Sequence, residues 1–318
     1  MKQPRVVLGV AVAVTFVLLI SALAWRLASQ TADFALRLPF GPACAVSSAA
    51  STAAGGGAGS AEAGSPTAAG PVSASPVLLD PVELDSEQMA NAATIVALAI
   101  RRNLPARAPV VALATAYQES KIRNLESGDR DSIGLFQQRP SQGWGTPEQI
   151  SDVRYATNAF YTKLVKVKGW QQMSVTDAAQ RVQRSAYPEA YQQWATRAQV
   201  LATALSGKSA GTVACRSKQD PPLRGTAATG ALTDLLRLDW GDVRVADTTG
   251  DTAALSLTVN DEAAGWRYAH WLVSHAAGQG VERVRYDRRE WTAGRGTWAD
   301  TNGDPGVERT RVTAVVYR

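Results

Sequence analysis

The chain is poor in the residues that bind metals and carry redox chemistry: its 318 residues include two cysteines and two histidines. Cys44 and Cys215 are too far apart in sequence to form a compact zinc site. His270 and His275, five positions apart, project roughly 140° from one another around a helix and do not converge on one ion. No metal site and no cofactor is therefore expected. Charge is scarce as well, at 19% of residues. The formal net charge of +5 comes from 33 Lys and Arg against 28 Asp and Glu. These charges are spread along the chain, without the basic stripe that marks a nucleic-acid binder. What remains is a mild positive field, suited to anionic wall polymers or anionic lipid heads.

One long uncharged run is present, VVLGVAVAVTFVLLISALAW from Val6 to Trp25, and about 20 apolar residues suffice for a helix to span a bilayer. Lys2 and Arg5 precede it, and cationic flanks stay on the cytoplasmic side. The expectation is a single-pass cell-membrane protein with its bulk extracytoplasmic. The alternative is a signal peptide cut near Ala22-Leu23-Ala24, which makes the protein secreted. Residues 47–76 are almost entirely Ala, Gly, Ser, Thr and Pro. Such a stretch has too few large apolar groups to fold and reads as a disordered tether. In an exported chain an isolated cysteine pair is expected to form a disulfide, here Cys44 to Cys215.

From Asp85 to Gly207 the pattern is helical. Asp85 or Ser86 is a candidate cap for the first helix, and Pro109 suits the first turn of the second. Further helices are expected over roughly 147–151, 153–167, 174–185 and 188–206. The second helix ends in LATAYQESK, where Glu119 is the lone carboxylate in a small, apolar run. One reading pairs it at the surface with Lys121 or Arg123. The other notes that a carboxylate at a helix C-terminus beside apolar groups has its pKa raised by dipole and burial together, which suits a general acid. The polar loop NLESGDRDSIGLFQQRPSQGWGT follows directly, as at a site.

ATAYQES followed by SIGLFQQRP resembles the lysozyme-like lytic transglycosylases, whose signature is a catalytic Glu-Ser at a helix end and then a Gly-Leu-Met-Gln-like turn closed by a proline. The resemblance assigns Glu119 as the catalytic acid and Ser120, Ser132, Gly134, Leu135, Gln137 and Asn158 as substrate-binding residues, with Pro140 closing the turn and Tyr161 beside Asn158 on a supporting helix. It covers about residues 80–207, similar to an actinobacterial group in which this domain follows a membrane anchor. The family's Ala-Tyr-Asn-Ala-Gly-like motif is replaced here by AAQRVQRSAYPEAY. There Gln180, Gln183 and Tyr187 form a stripe that either substitutes for the motif or is an ordinary polar face.

The resemblance implies cleavage of peptidoglycan glycan strands between N-acetylmuramic acid and N-acetylglucosamine. Glu119 protonates the glycosidic oxygen and then takes a proton from the C6 hydroxyl, leaving a 1,6-anhydro end. Lysozymes use a second carboxylate instead, for which Asp129 and Asp131 are the candidates, although the same residues make a natural turn. A non-catalytic wall-binding module is a third reading. Expected partners are peptidoglycan strands and, through the N-terminal helix, the membrane, with no nucleic acid; protein partners are not specified.

Beyond ACRSKQDPPLRGT, alternating strands surround one helix near 262–277, as in the α+β domain that accompanies lysozyme-like domains in some actinobacterial secreted proteins. Trp291 and Trp298 beside Arg288, Arg289 and Arg295 are either a wall contact or core residues. The expected fold class is thus a mainly α lysozyme-like domain (79–216) and a small α+β domain (231–318) joined by a linker (217–230), preceded by a cytoplasmic tip and transmembrane helix (1–26) and a disordered linker (27–78).

Overall fold

The structure, a computed structural model, describes residues 43–48, 80–185, 187–217, 220–247, 253–302 and 309–318. The described part from residue 43 onward packs as one compact unit. The expected membrane run (6–25) lies outside the described residues, as does most of the low-complexity stretch. Among the described residues no helix is long and apolar enough to cross a membrane.

The expectation of a mainly α first domain fails on a three-stranded antiparallel sheet. Its strands are β1 (Ala43–Val46), β2 (Val82–Asp85) and β3 (Val213–Cys215), in the order β2-β1-β3. In β2, Val82 and Leu84 are buried and Glu83 is exposed, the period-two pattern of a half-buried strand. Cys44 stands opposite both Leu84 and Cys215, and a disulfide joins Cys44 to Cys215. Val46 pairs with Val82, so strands from either side of the low-complexity stretch are neighbours in one sheet.

Helix α1 (Ser86–Arg101) starts at a capping box in which Asp85 accepts from Gln88 N while the Gln88 side chain accepts from Asp85 N. Residues Asn91–Ala99 are buried without a break. A helix apolar all round belongs in the middle of a core, and α1 touches both helical and sheet halves of the molecule. Around it lie α2 (Arg107–Ser120), α3 (Pro147–Ser151), α4 (Val153–Leu164), α5 (Val175–Gln183) and α6 (Ala195–Leu205), with a 3-10 segment at Pro188–Trp194. These follow the expected helices closely, except that 188–206 divides into a 3-10 and an α segment.

The second correction concerns the other half. Helix α7 (Gly225–Trp240) begins inside the stretch read as a linker. After it a six-stranded antiparallel sheet runs in the order β4-β5-β9-β6-β7-β8, formed by β4 (Val245–Asp247), β5 (Ala254–Thr258), β6 (Val281–Tyr286), β7 (Arg289–Thr292), β8 (Trp298–Asp300) and β9 (Arg311–Val316). Helix α8 (Glu262–Ser274), capped by Asp261, and the short α9 (Ala276–Gln279) complete the fold. With nine helices and two antiparallel sheets among the described residues, the architecture is a mixed α and β body, not a helical domain with a small appendix.

The two halves are joined by specific contacts. Asp239, fully buried near the end of α7, accepts from Thr94 Oγ1 on α1 (3.0 Å) and Trp271 Nε1 on α8 (2.8 Å). Its other oxygen lies 2.6 Å from Arg154 Nε on α4, an ionic contact rather than a directed hydrogen bond. One carboxylate therefore ties four helices. His270 on α8 is fully buried with Nδ1 2.8 Å from Ala204 O, and burial pushes its pKa down to about 4. At Gly207, φ is +80° and a Cβ would lie 1.9 Å from Ala263 O, so only glycine permits α6 to close this tightly on α8. Trp291 Nε1 donates to Cys215 O (3.0 Å) and Trp298 Nε1 to Val213 O (2.8 Å). Both tryptophans thus join the sheets.

Candidate functional site

The site is built where α2 stops. Eleven residues of α2 are buried, but Gln118 and Glu119 are only partly so. The helix ends without a glycine: Lys121 and Ile122 both adopt left-handed conformations, with φ of 57° and 62°. Their carbonyls accept from Gln88 Nε2 (2.7 Å) and Asn91 Nδ2 (2.9 Å), side chains of α1. The α1 core helix thus fixes the turn that points Glu119 outward. Ser120 Oγ donates to Leu135 O (2.7 Å), tying the helix end to the following loop.

That loop is rigid. Ile133 and Gln138 exchange backbone hydrogen bonds of 2.9 and 3.0 Å, closing a tight turn over GLFQ. Gly134 sits at φ +78°, and a Cβ there would come within 2.6 Å of Ile150 O. Leu135 is fully buried, Phe136 stacks on Phe160 with ring centroids 4.8 Å apart, and the Gln138 amide donates to Ala156 O at 3.0 Å. Leu135 and Phe136 are core anchors. The polar partners of the same loop are left to face the cleft.

Glu119 Oε1 accepts two hydrogen bonds, from Tyr191 OH at 2.7 Å and from Gln183 Nε2 at 3.2 Å. Burial raises the Glu119 pKa above the ordinary carboxylate value, while the Tyr191 and Gln183 donors pull part of that rise back. The surface-pair alternative is excluded by where the cations went. Arg123 pairs with Asp85 and Glu87, and Lys121 Nζ lies 4.3 Å from the centre of the Trp194 ring. Gln183 Nε2 also donates to Phe136 O (2.8 Å), while its Oε1 is buried with no partner among the described residues.

Tyr191 was not singled out in the sequence. The stripe of Gln180, Gln183 and Tyr187 assumes one continuous helix, but α5 ends at Gln183 and Arg184 turns left-handed (φ 54°). Gln180 then donates to Ser185 O (2.8 Å), Tyr187 is 74% exposed, and only Gln183 reaches Glu119. Pro188 opens the 3-10 segment that turns the second tyrosine of AYPEAY inward. Trp194, stacked on Tyr117 at 5.0 Å and donating to Gln118 Oε1 at 2.9 Å, holds that segment on α2. Burial and the adjacent Glu119 carboxyl push the Tyr191 phenol far above its ordinary range, so it keeps the proton that it donates to Glu119.

A cavity of about 510 Å³ opens in front of these groups, lined among others by Glu119, Asp129, Ser132, Gln137, Gln183 and Arg184. Ser132 and Gln137 thus meet Glu119 there. Gly134 and Leu135 shape the loop without lining the cavity. Asn158 turns away: its Oδ1 and backbone carbonyl accept from Arg102 Nη1 at 3.2 and 2.8 Å. Tyr161 is buried and donates to Ile95 O (2.9 Å). The two loop aspartates divide. Asp129 lines the cavity and is exposed. Asp131 accepts from Ser141 N (2.9 Å) and lies 2.6 Å from Arg139 Nε, contacts that hold its carboxyl well below the usual carboxylate range. Asp131 is an ionised turn residue. The arrangement can donate a proton from one carboxyl, hold the resulting anion by two fixed donors and accept a proton back. Compared with known proteins, the chain matches no family model and no curated sequence.

Proposed function

We propose that the chain is an extracytoplasmic enzyme that cleaves peptidoglycan glycan strands between N-acetylmuramic acid and N-acetylglucosamine, with Glu119 as acid and then base, leaving 1,6-anhydro ends. The observation that carries this reading is the state of Glu119: a carboxyl whose pKa burial raises, with no ion pair among the described residues to pull it down, on the wall of a cavity of about 510 Å³. The likeness of its Glu-Ser and GLFQQRP motifs to lytic transglycosylases supplies the substrate. The disulfide supports an oxidising compartment outside the cytoplasm.

Protonated Glu119 donates to the glycosidic oxygen, which makes the departing sugar a competent leaving group as positive charge grows at the ring. The carboxylate that results is stabilised by Tyr191 OH and Gln183 Nε2. It then removes the proton from the C6 hydroxyl of the same muramic acid as that oxygen closes on C1.

Replacement Glu119→Gln on purified sacculi tests the reading. Turnover should fall roughly 100-fold or more with saccharide binding retained, and wild-type products should be lighter by one water than reducing ends. Reducing ends that vanish in Asp129→Asn would instead establish a hydrolase in which Asp129, on the same cavity wall, directs water. Equal inactivity of wild type and Glu119→Gln, with binding intact, would leave a wall-binding module.

A further inference from the structure

A second cavity, of about 590 Å³, adjoins the first and shares Gln142, Trp144, Gln183 and Arg184 with it. Its other walls carry Lys163, Lys166 and Arg181, and no carboxylate among the described residues lines it. Four cations therefore surround one hollow. Among the described residues none of the four belongs to an ion pair, although eleven such pairs are formed elsewhere. Lys163 Nζ lies 3.2 Å from the centre of the Trp144 ring, its position fixed over an aromatic floor. Arg184 reaches both cavities from a left-handed backbone (φ 54°), a conformation uncommon for a side chain of this kind. Partial burial chiefly, and then the nearby Arg184 and Lys166, depresses the Lys163 pKa.

Such a gathering opposes itself unless an anion arrives. We propose that this hollow is an anion subsite of the cleft, which receives carboxylates of the peptide carried by the sugar bound at Glu119. The assignment rests on the glycan-cleaving reading above. Sugar rings of that substrate are uncharged, and the anionic groups attached to the muramic acid are carboxylates of its side arm. The shared wall means that a group projecting from a sugar in the first cavity enters the second without leaving the protein surface. Trp144 and Val167 give the aliphatic parts of that arm an apolar floor.

The test uses the full chain carrying Glu119→Gln, so that ligands bind without turning over, and calorimetry with three saccharides. These are a disaccharide peptide with free carboxylates, the same compound with its carboxylates amidated, and an uncharged N-acetylglucosamine tetramer. The free-carboxylate ligand should bind on the order of tenfold tighter than its amidated form at low salt, since several solvent-accessible ion pairs add modest increments. That preference should fade between about 20 mM and about 500 mM salt. It should also fade when Lys166→Gln and Arg181→Gln, both at exposed positions, are added; the salt series on the parent chain needs no further folding of a variant. Equal affinity for the free and amidated ligands would overturn the subsite while leaving the glycan reading in place. Tighter binding of a phosphodiester-bearing wall polymer than of the carboxylate ligand would overturn the choice of carboxylate. Failure to bind any of the three saccharides would overturn both proposals.

Discussion

Replacing Tyr191 by Phe removes one hydroxyl and nothing else from the hydrogen-bonded pair at the centre of the site. The ring is fully buried, so its packing stays, and the loss falls on the 2.7 Å bond to Glu119 Oε1. A hydrogen bond to a charged partner contributes about 1.5–3 kcal/mol. The neutral acid before reaction benefits less than the carboxylate after it. If roughly half the negative charge has developed in the transition state, roughly 1 kcal/mol is lost there, which corresponds to a roughly fivefold fall in kcat with little change in KM. The pH profile gives a sharper reading. Glu119 must be protonated to act as acid, so activity falls on the alkaline side as it ionises. Tyr191 is the larger of the two influences that lower the Glu119 pKa. Its removal should move that alkaline limb to higher pH, while Gln183 still donates. A pH–rate series on purified glycan strands, with products counted by mass spectrometry, measures both quantities. An alkaline limb that stays in place, or moves down, refutes the assignment of Glu119 as the acid tuned by Tyr191.

Glu119→Gln should also change stability with a definite sign. A folded-state pKa raised above the unfolded value adds stability that is complete below the unfolded pKa and is lost as pH rises through the folded one. The variant should therefore gain in thermal stability over wild type at neutral pH and lose that advantage in acid, which paired melting curves at the two pH values check. Reduction of the Cys44–Cys215 bridge, which closes a separation of 171 residues, should lower stability by up to about 4–5 kcal/mol in the chain-entropy model; urea curves with and without reductant measure it. Asp239→Ala strands the Arg154 guanidinium and leaves Thr94 and Trp271 without their acceptor. A loss of about 3–5 kcal/mol is expected from urea denaturation, and a value near zero would mean that the four helices do not depend on this carboxylate.

Glu119 was legible because its signal is local: a small apolar helix that ends in one acid beside a polar loop. Gln183 was half legible, since its helical spacing was right but its partner lay 64 residues away. Tyr191 was hidden by the break at Arg184, which no helical count carries across, and by a 3-10 turn whose effect depends on Trp194 docking on Tyr117. Asn158 sits at a helix position compatible with two faces, and its side chain and carbonyl accept from Arg102. The strands of the small sheet, ACAV, VELD and VAC, are three or four residues long. Alternation cannot declare itself over that length, and their pairing joins residues far apart in the chain. Helix α7 begins in Gly-Thr-Ala-Ala after two prolines, a composition that reads as linker until Leu232 and Leu236 find the core.

The middle strand of that small sheet also decides how the molecule carries a mechanical load. Cys44 lies within β1, and its sulfur is bonded to Cys215 at the end of β3. A pull that enters the chain ahead of Cys44 and leaves it beyond Cys215 crosses through one covalent bond. Everything between, including α2 with Glu119 and the segment with Tyr191, is bypassed and bears none of the tension. Once the bridge is reduced, the same pull must peel β1 from between β2 and β3, and the force then runs through the helices that hold the acid in place.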